Sequence, residues 1–221
     1  MNQKAVVVGA TGLIGKELVQ LLLRDSAYTS VTVLVRRCIG ISDPKLHEKL
    51  IDFDLLDKVD VDMNGADVYC ALGTTRKDSG SQEAFRRVDY TYPLALARMA
   101  KHQGARGFII VSAIGADSSS RTFYVRVKGE LEDALKELKL PALHIFRPSL
   151  LLGDREQFRF GERMAQISSK IFMPLFVGVL RKYKPISAGS VAKAMLLAAK
   201  SGQSGTHIYE SDEIEIGTEI M

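Results

Sequence analysis

The sequence predicts an α/β fold, a doubly wound parallel sheet with a small C-terminal lobe on the substrate side. Short strand-like runs alternate with helical stretches through most of the chain, a pattern that puts helices on both faces of a parallel sheet. A glycine-rich turn separates the first strand-like run from the first helix. No internal repeat or low-complexity linker interrupts the alternation. One domain spanning residues 1–221 is therefore expected, with residues 148–186 forming the lobe.

Residues 4–8 form a β-branched, buried-strand run, and residues 9–15 a glycine-rich turn. Leu13, Leu18, Leu21 and Leu22 then share one helical face as far as about Asp25. Strands are expected at 30–36, 49–53 and 66–72. Residues 82–103 are helical in composition, but Pro93 must break or kink that helix. A fifth strand at Gly107–Val111 and a sixth at 142–146 flank a helix over 121–138. Beyond Arg147 the periodicity loosens into a stretch bearing Phe158, Phe160, Met164, Phe172, Met173 and Phe176. These side chains fit either an apolar pocket wall or ordinary core and oligomer contact. A helix over 187–200 and a strand over 206–209 close the pattern.

Composition excludes several classes. The longest apolar run, residues 171–180, is broken by Pro174 and Gly178, too short for a membrane span. Its basic flanks, Lys170 and Arg181 to Lys184, read as the solvated end of a buried segment rather than a membrane contact. The N-terminus shows no secretory leader pattern, so the expected compartment is the cytoplasm. Cys38 and Cys70 form no C-x-x-C pair, and the four His are scattered, so no metal site is expected. There is no G-x-S-x-G elbow, and Gly15-Lys16 is followed by Glu17, which excludes a P-loop. A net charge of +4 permits anionic partners. With no Trp and no basic stripe interleaved with aromatics, nucleic acid is not expected among them.

Gly9-Ala-Thr-Gly12-Leu-Ile-Gly15 follows a strand and opens a helix. Glycines in that context permit a tight turn, close backbone approach to a pyrophosphate and close helix packing. The second strand ends Val35-Arg36-Arg37, with no acid to bind a ribose 2′-hydroxyl. Two guanidinium forks suit a 2′-phosphate, so the expected cofactor is NADP(H). Arg76 and Lys77 add basic groups after the fourth strand. Asp52 and Phe53, read as the end of the third strand, could flank an adenine, or Phe53 could belong to the core.

Tyr124-Val-Arg-Val-Lys128 puts a phenol and an ammonium one turn apart on a helix face. A phenol has an ordinary pKa near 10, and a nearby cation favours the phenolate, which suits acid–base work at neutral pH. Of the seven Tyr, Tyr124 alone has Lys four residues on. Ser112 ends the fifth strand twelve residues upstream, where its hydroxyl could bond a substrate carbonyl.

Together G-A-T-G-L-I-G at 9–15, V-R-R at 35–37, I-D-F at 51–53, C-A-L-G-T-T-R at 70–76, V-S-A-I-G-A-D at 111–117, Y-V-R-V-K-G-E at 124–130 and F-R-P-S-L-L-L-G at 146–153 resemble an atypical short-chain dehydrogenase/reductase. The likeness is to the Tat-interacting, oxidoreductase-like branch and runs to about Lys200. It implies an NAD(P)-binding Rossmann fold, Tyr124 as acid–base group, Lys128 as its ribose-binding partner and Ser112 aligning the substrate. By the same resemblance Gly9, Thr11, Gly12 and Gly15 would form the pyrophosphate turn, with amides from Leu13 and Ile14. Arg36 and Arg37 would hold the 2′-phosphate. Leu72, Gly73 and Thr74 would line the cofactor, and Pro148 and Ser149 would approach the nicotinamide. Relatives often carry Ser-Ser where this chain has Ser112-Ala113. The expected function is NADP(H)-dependent hydride transfer to or from a small carbonyl or alcohol. The alternative is a nucleotide-sensing regulator acting through a protein partner.

Overall fold

The computed structural model describes residues 3–74, 79–152 and 183–219. Strands β1 (Gln3–Val8), β2 (Tyr28–Val35), β3 (Leu46–Leu50), β4 (Asp67–Cys70), β5 (Gly107–Val111), β6 (Ala142–Arg147) and β9 (Gly205–Glu210) form one sheet. Every pairing is parallel, in the order β3-β2-β1-β4-β5-β6-β9. The chain builds outward from β1 to β3, then returns to place β4 on the other side of β1. That reversal opens a crevice at the carboxyl ends of β1 and β4. A short ladder joins β7 (Leu151–Leu152) to β8 (Ile186–Ser187).

Alternation along the strands feeds two cores. Ala5 and Val7 of β1 face the layer of helices α1 (Leu13–Arg24) and α5 (Ala188–Lys200). Val6 and Val8 face the layer of α3 (Tyr92–His102) and α4 (Phe123–Glu137). Leu18 and Leu22 of α1 are fully buried, each contributing about 1.5–3 kcal/mol by leaving water. Helices on both faces explain why the central strands read as continuous apolar runs.

The structure moves or adds several elements. The third strand lies at Leu46–Leu50, upstream of the expected 49–53. It is an edge strand with a largely polar sequence, and the apolar Ile51 and Phe53 lie beyond its end. The helix expected over 82–103 is α2 (Gln82–Arg86), a π-helical turn (Arg87–Thr91) and α3. Pro93 has no N–H to give the Asp89 carbonyl, and Tyr92 N–H instead bonds Arg87 O, five residues back. Helix α6 (Ser211–Glu219) was not expected. The Phe- and Met-bearing stretch 158–176, most of the 148–186 lobe, and Arg76 and Lys77 lie outside the described residues.

On β6 and β9, His144 stacks on His207 with ring centroids 5.2 Å apart, and its Nδ1 lies 3.0 Å from Tyr209 Oη. Burial, reinforced by His207, pulls the His144 pKa from 6.5 down to about 4. Between those values the unfolded chain takes up a proton that the folded chain refuses, so stability falls as pH drops from 6.5 toward 4. Thermal unfolding midpoints measured across this window should fall less steeply in His144→Gln than in the wild type.

Candidate active site

Gly9 leaves β1 with φ +89°, and a Cβ there would lie 2.4 Å from the Ala71 carbonyl oxygen. In the first turn of α1, a Cβ on Gly15 would lie 2.1 Å from Gly9 O. Only glycine fits either position. Gly12 caps α1 without a side-chain hydrogen bond, and no acidic residue occupies the first turn. The amides of Leu13, Ile14 and Gly15 therefore lack acceptors within the helix, and the helix dipole favours an anion at this end.

Beside the turn lies a cleft of about 430 Å³. Gly9, Ala10 and Thr11 form one wall, Leu34 to Arg37 a second, and Phe53 and Leu72 complete it. None of these residues is acidic. Arg36 and Arg37 are exposed just past the end of β2. Phe53 is buried in the core and packs against Tyr92 with centroids 5.6 Å apart, so it serves both the core and the cleft wall. Asp52 does not end a strand as expected. Its carboxylate accepts the Asp54 amide at 3.0 Å and caps the 3-10 turn Phe53–Lys58.

A second cluster gathers across β4. Lys128 Nζ lies 2.8 Å from Asp89 Oδ1, and the two side chains are 5% and 1% exposed. The other Asp89 oxygen accepts the Thr74 amide at 3.0 Å. Burial works against the Lys128 ammonium, but Asp89 and then Tyr124 outweigh it and hold its pKa above the ordinary lysine value. Burial also pushes the neighbouring Cys70 thiol up to about 12. Tyr124 is 39% exposed, its ring tilted at 57° to Phe85 with centroids 5.7 Å apart. An exposed tyrosine thus lies one helical turn from a buried cation that feels its charge.

Ser112 is buried, and its Oγ donates to Glu132 Oε1 at 2.6 Å. Arg147 grips the same carboxylate through Nε and a terminal nitrogen at 3.0 and 2.6 Å, and reaches Glu210 at 2.9 Å. In this geometry the Ser112 hydrogen belongs to Glu132, and bonding a substrate would require exchanging that bond. Pro148 O accepts the Ile114 amide at 3.1 Å. Ser149 N–H donates to Ser211 Oγ at 3.1 Å, and Ser149 Oγ donates to Lys184 O. Pro148 thus ties the loop after β6 to the loop after β5, and Ser149 ties it to α6 and to the segment before β8.

Leu72 lines the cleft and Thr74, two residues on, bonds Asp89, so the loop after β4 links both halves of the site. Asp89, Glu132 and Gly129 were missed in the sequence. A Cβ on Gly129 would lie 2.1 Å from Ser118 N, so glycine there lets the loop after β5 lie against α4.

A sequence profile described as NAD(P)H-binding matches residues 9–162. Protein HTATIP2 of Rattus norvegicus is 38% identical over 169 residues, 75% of this chain and 69% of the rat protein. The chain belongs to the NAD(P)H-binding family. Within it, the likeness to HTATIP2 and to the FMP52 proteins places it among the atypical short-chain dehydrogenase/reductases. The mitochondrial protein FMP52 of Eremothecium gossypii is 35% identical over 214 residues, 95% of each chain. Its Candida albicans counterpart, also mitochondrial, is 34% identical over 206 residues, 90% of this chain and 89% of its own. The solved structure of MoeE5 in complex with UDP-glucose and NAD superposes with a TM-score of 0.69 at 15% identity, covering 99% of this chain and 82% of that one. At that identity it bears on the fold alone, and the fold is the Rossmann type expected. A nicotinamide dinucleotide cofactor follows from membership of this oxidoreductase-like family. The cytoplasmic expectation is corrected, because the fungal relatives are named as mitochondrial. It rested on sequence patterns for secretion and membrane spanning, which carry no information about import into an organelle.

Gly9→Ala would force a side chain onto the Ala71 carbonyl in a strained backbone region. The variant should bind dinucleotide at least about tenfold more weakly, read by fluorescence titration.

Proposed function

We propose that this member of the NAD(P)H-binding family is an NADP(H)-dependent oxidoreductase acting on a small carbonyl or alcohol. The observation that carries the proposal is the exposed Tyr124 one helical turn from the buried Lys128 ammonium, close enough for their charges to interact. What supports the cofactor fit is a turn whose Gly9 and Gly15 let backbone pack on backbone at the amino end of α1, beside a cleft that carries two guanidinium groups and, among the described residues lining it, no carboxylate. Gly9, Thr11, Gly12 and Gly15, with the Leu13 and Ile14 amides, would hold the pyrophosphate. Arg36 and Arg37 favour a 2′-phosphate, hence NADP(H) over NAD(H).

When bound, the nicotinamide would supply or accept the hydride. Tyr124 Oη would give the substrate oxygen its proton during reduction and recover it in the reverse direction. The Lys128 ammonium would stabilise the phenolate left behind. The Phe85 ring against Tyr124 restricts the phenol's rotation. Leu72 would line the cofactor from the loop after β4, with Gly73 and Thr74, and Pro148 and Ser149 would bound the nicotinamide end.

Tyr124→Phe removes the proton donor and leaves the cradle intact. NADPH binding should stay within about threefold of wild type. NADPH oxidation with a carbonyl panel, followed at the reduced-nicotinamide absorbance, should fall about 100-fold or more. Equal turnover in the variant would overturn the assignment.

A further inference from the structure

Three buried carboxylates occur among the described residues, each with its own cation. Asp67 pairs with Arg106, Glu132 with Arg147, and Asp89 with Lys128. The first two partners are guanidinium groups, which stay charged without help. Lys128 is different, because a dehydrated ammonium readily gives up its proton.

We propose that Asp89 is a positioning residue, the counter-ion that keeps Lys128 charged behind Tyr124 and ties it through the Thr74 amide to the loop after β4. The proposal rests on the reading of Tyr124 and Lys128 given above. The geometry leaves Asp89 little else to do. It is fully buried, so it cannot pass a proton to solvent. One carboxylate oxygen lies 2.8 Å from the ammonium as its ion-pair partner, and the other accepts the Thr74 amide at 3.0 Å. The π-helical turn that carries it follows from Pro93 and sits between α2 and α3, opposite α4. Among the described residues, the groups facing the pair are Tyr124 from α4 and Cys70 from β4, whose thiol stays neutral at working pH. Asp89 is therefore the negative charge that offsets the burial of Lys128. Without it the amine would be neutral near pH 7 and could not stabilise a phenolate.

The test is an NMR titration of the lysine side-chain nitrogens in ¹⁵N-lysine-labelled protein without nucleotide, with Lys128→Met used to assign the signal. In wild type, Lys128 should remain an ammonium through pH 10. In Asp89→Asn, which keeps an oxygen for the Thr74 amide, its midpoint should fall by about four units, to near neutral or below. NADPH-dependent turnover in that variant should be lost at neutral pH through kcat rather than substrate KM, and should recover as pH is lowered. An unchanged Lys128 midpoint in Asp89→Asn would overturn the proposal whatever the turnover. So would a shifted midpoint with an unshifted turnover profile. If Asp89→Asn does not fold, the wild-type titration decides: a midpoint below pH 9 overturns the counter-ion. If the wild type reduces no carbonyl compound, the functional reading fails, while the Lys128 midpoint still decides whether Asp89 is the counter-ion.

Discussion

Where β1 gives way to α1, Gly9 passes so close to Ala71 beyond β4, and Gly15 so close to Gly9, that neither can carry a Cβ. This backbone contact sets the geometry of the site. It brings the amino end of α1 to the carboxyl edge of the sheet, between β1 and β4, where the strand order reverses. It also fixes the start of the Ala71–Thr74 loop, which lines the cleft at one end and bonds Asp89 at the other. The uncapped amino end of α1 and the tyrosine–lysine pair are thus built around one loop, and a shift of Gly9 would disturb both.

The buried charges bring geometric order more than stability. A buried ion pair is often no more stabilising than a well-packed apolar replacement, whereas breaking one leaves a charge unpaired at a cost of about 3–5 kcal/mol. At the amino ends of the strands, Asp67 accepts Nε of Arg106 at 2.8 Å and also the Tyr28 phenol. Burial and the Asp67 charge raise the Tyr28 pKa well above its usual value. At the carboxyl ends, Glu132 and Arg147 lock β6 to α4 and hold the Ser112 hydroxyl. Arg147 also reaches Glu210, which carries the lock to β9. Asp89–Lys128 holds the loop that joins the two halves of the site, and its cation is the one of the three whose charge burial would remove were its carboxylate not beside it.

Much of the frame was legible in the sequence because it rests on local signals. The β-branched runs at β1, β2, β5 and β6, the glycine turn, the Tyr124–Lys128 spacing and the arginines ending β2 each need only a few neighbouring residues to read. β3 was shifted because an edge strand with one wet side, Leu-His-Glu-Lys-Leu, carries a weaker apolar signal than the Ile51–Phe53 stretch that follows it. Asp89 was hidden inside a helical run. Its burial depends on the π turn that Pro93 imposes and on a lysine 39 positions further along. Glu132 and Gly129 were missed because their partners, Arg147 and the Asp117–Ser118 backbone, meet them only in three dimensions. The sequence could place Ser112 at a strand end but could not show that its hydroxyl turns toward a buried carboxylate.

The central claim is that the cleft beside Gly9 holds a nicotinamide dinucleotide by its pyrophosphate and its 2′-phosphate. Calorimetric titration of NADPH and NADH in parallel, on wild type and on an Arg36→Ala/Arg37→Ala variant, tests it most directly. The account predicts that wild type binds NADPH about tenfold or more tightly than NADH, and that the double variant loses this preference while still binding NADH. Equal or tighter binding of NADH by wild type would contradict the 2′-phosphate anchor, and binding of neither nucleotide would contradict the whole assignment of the cleft.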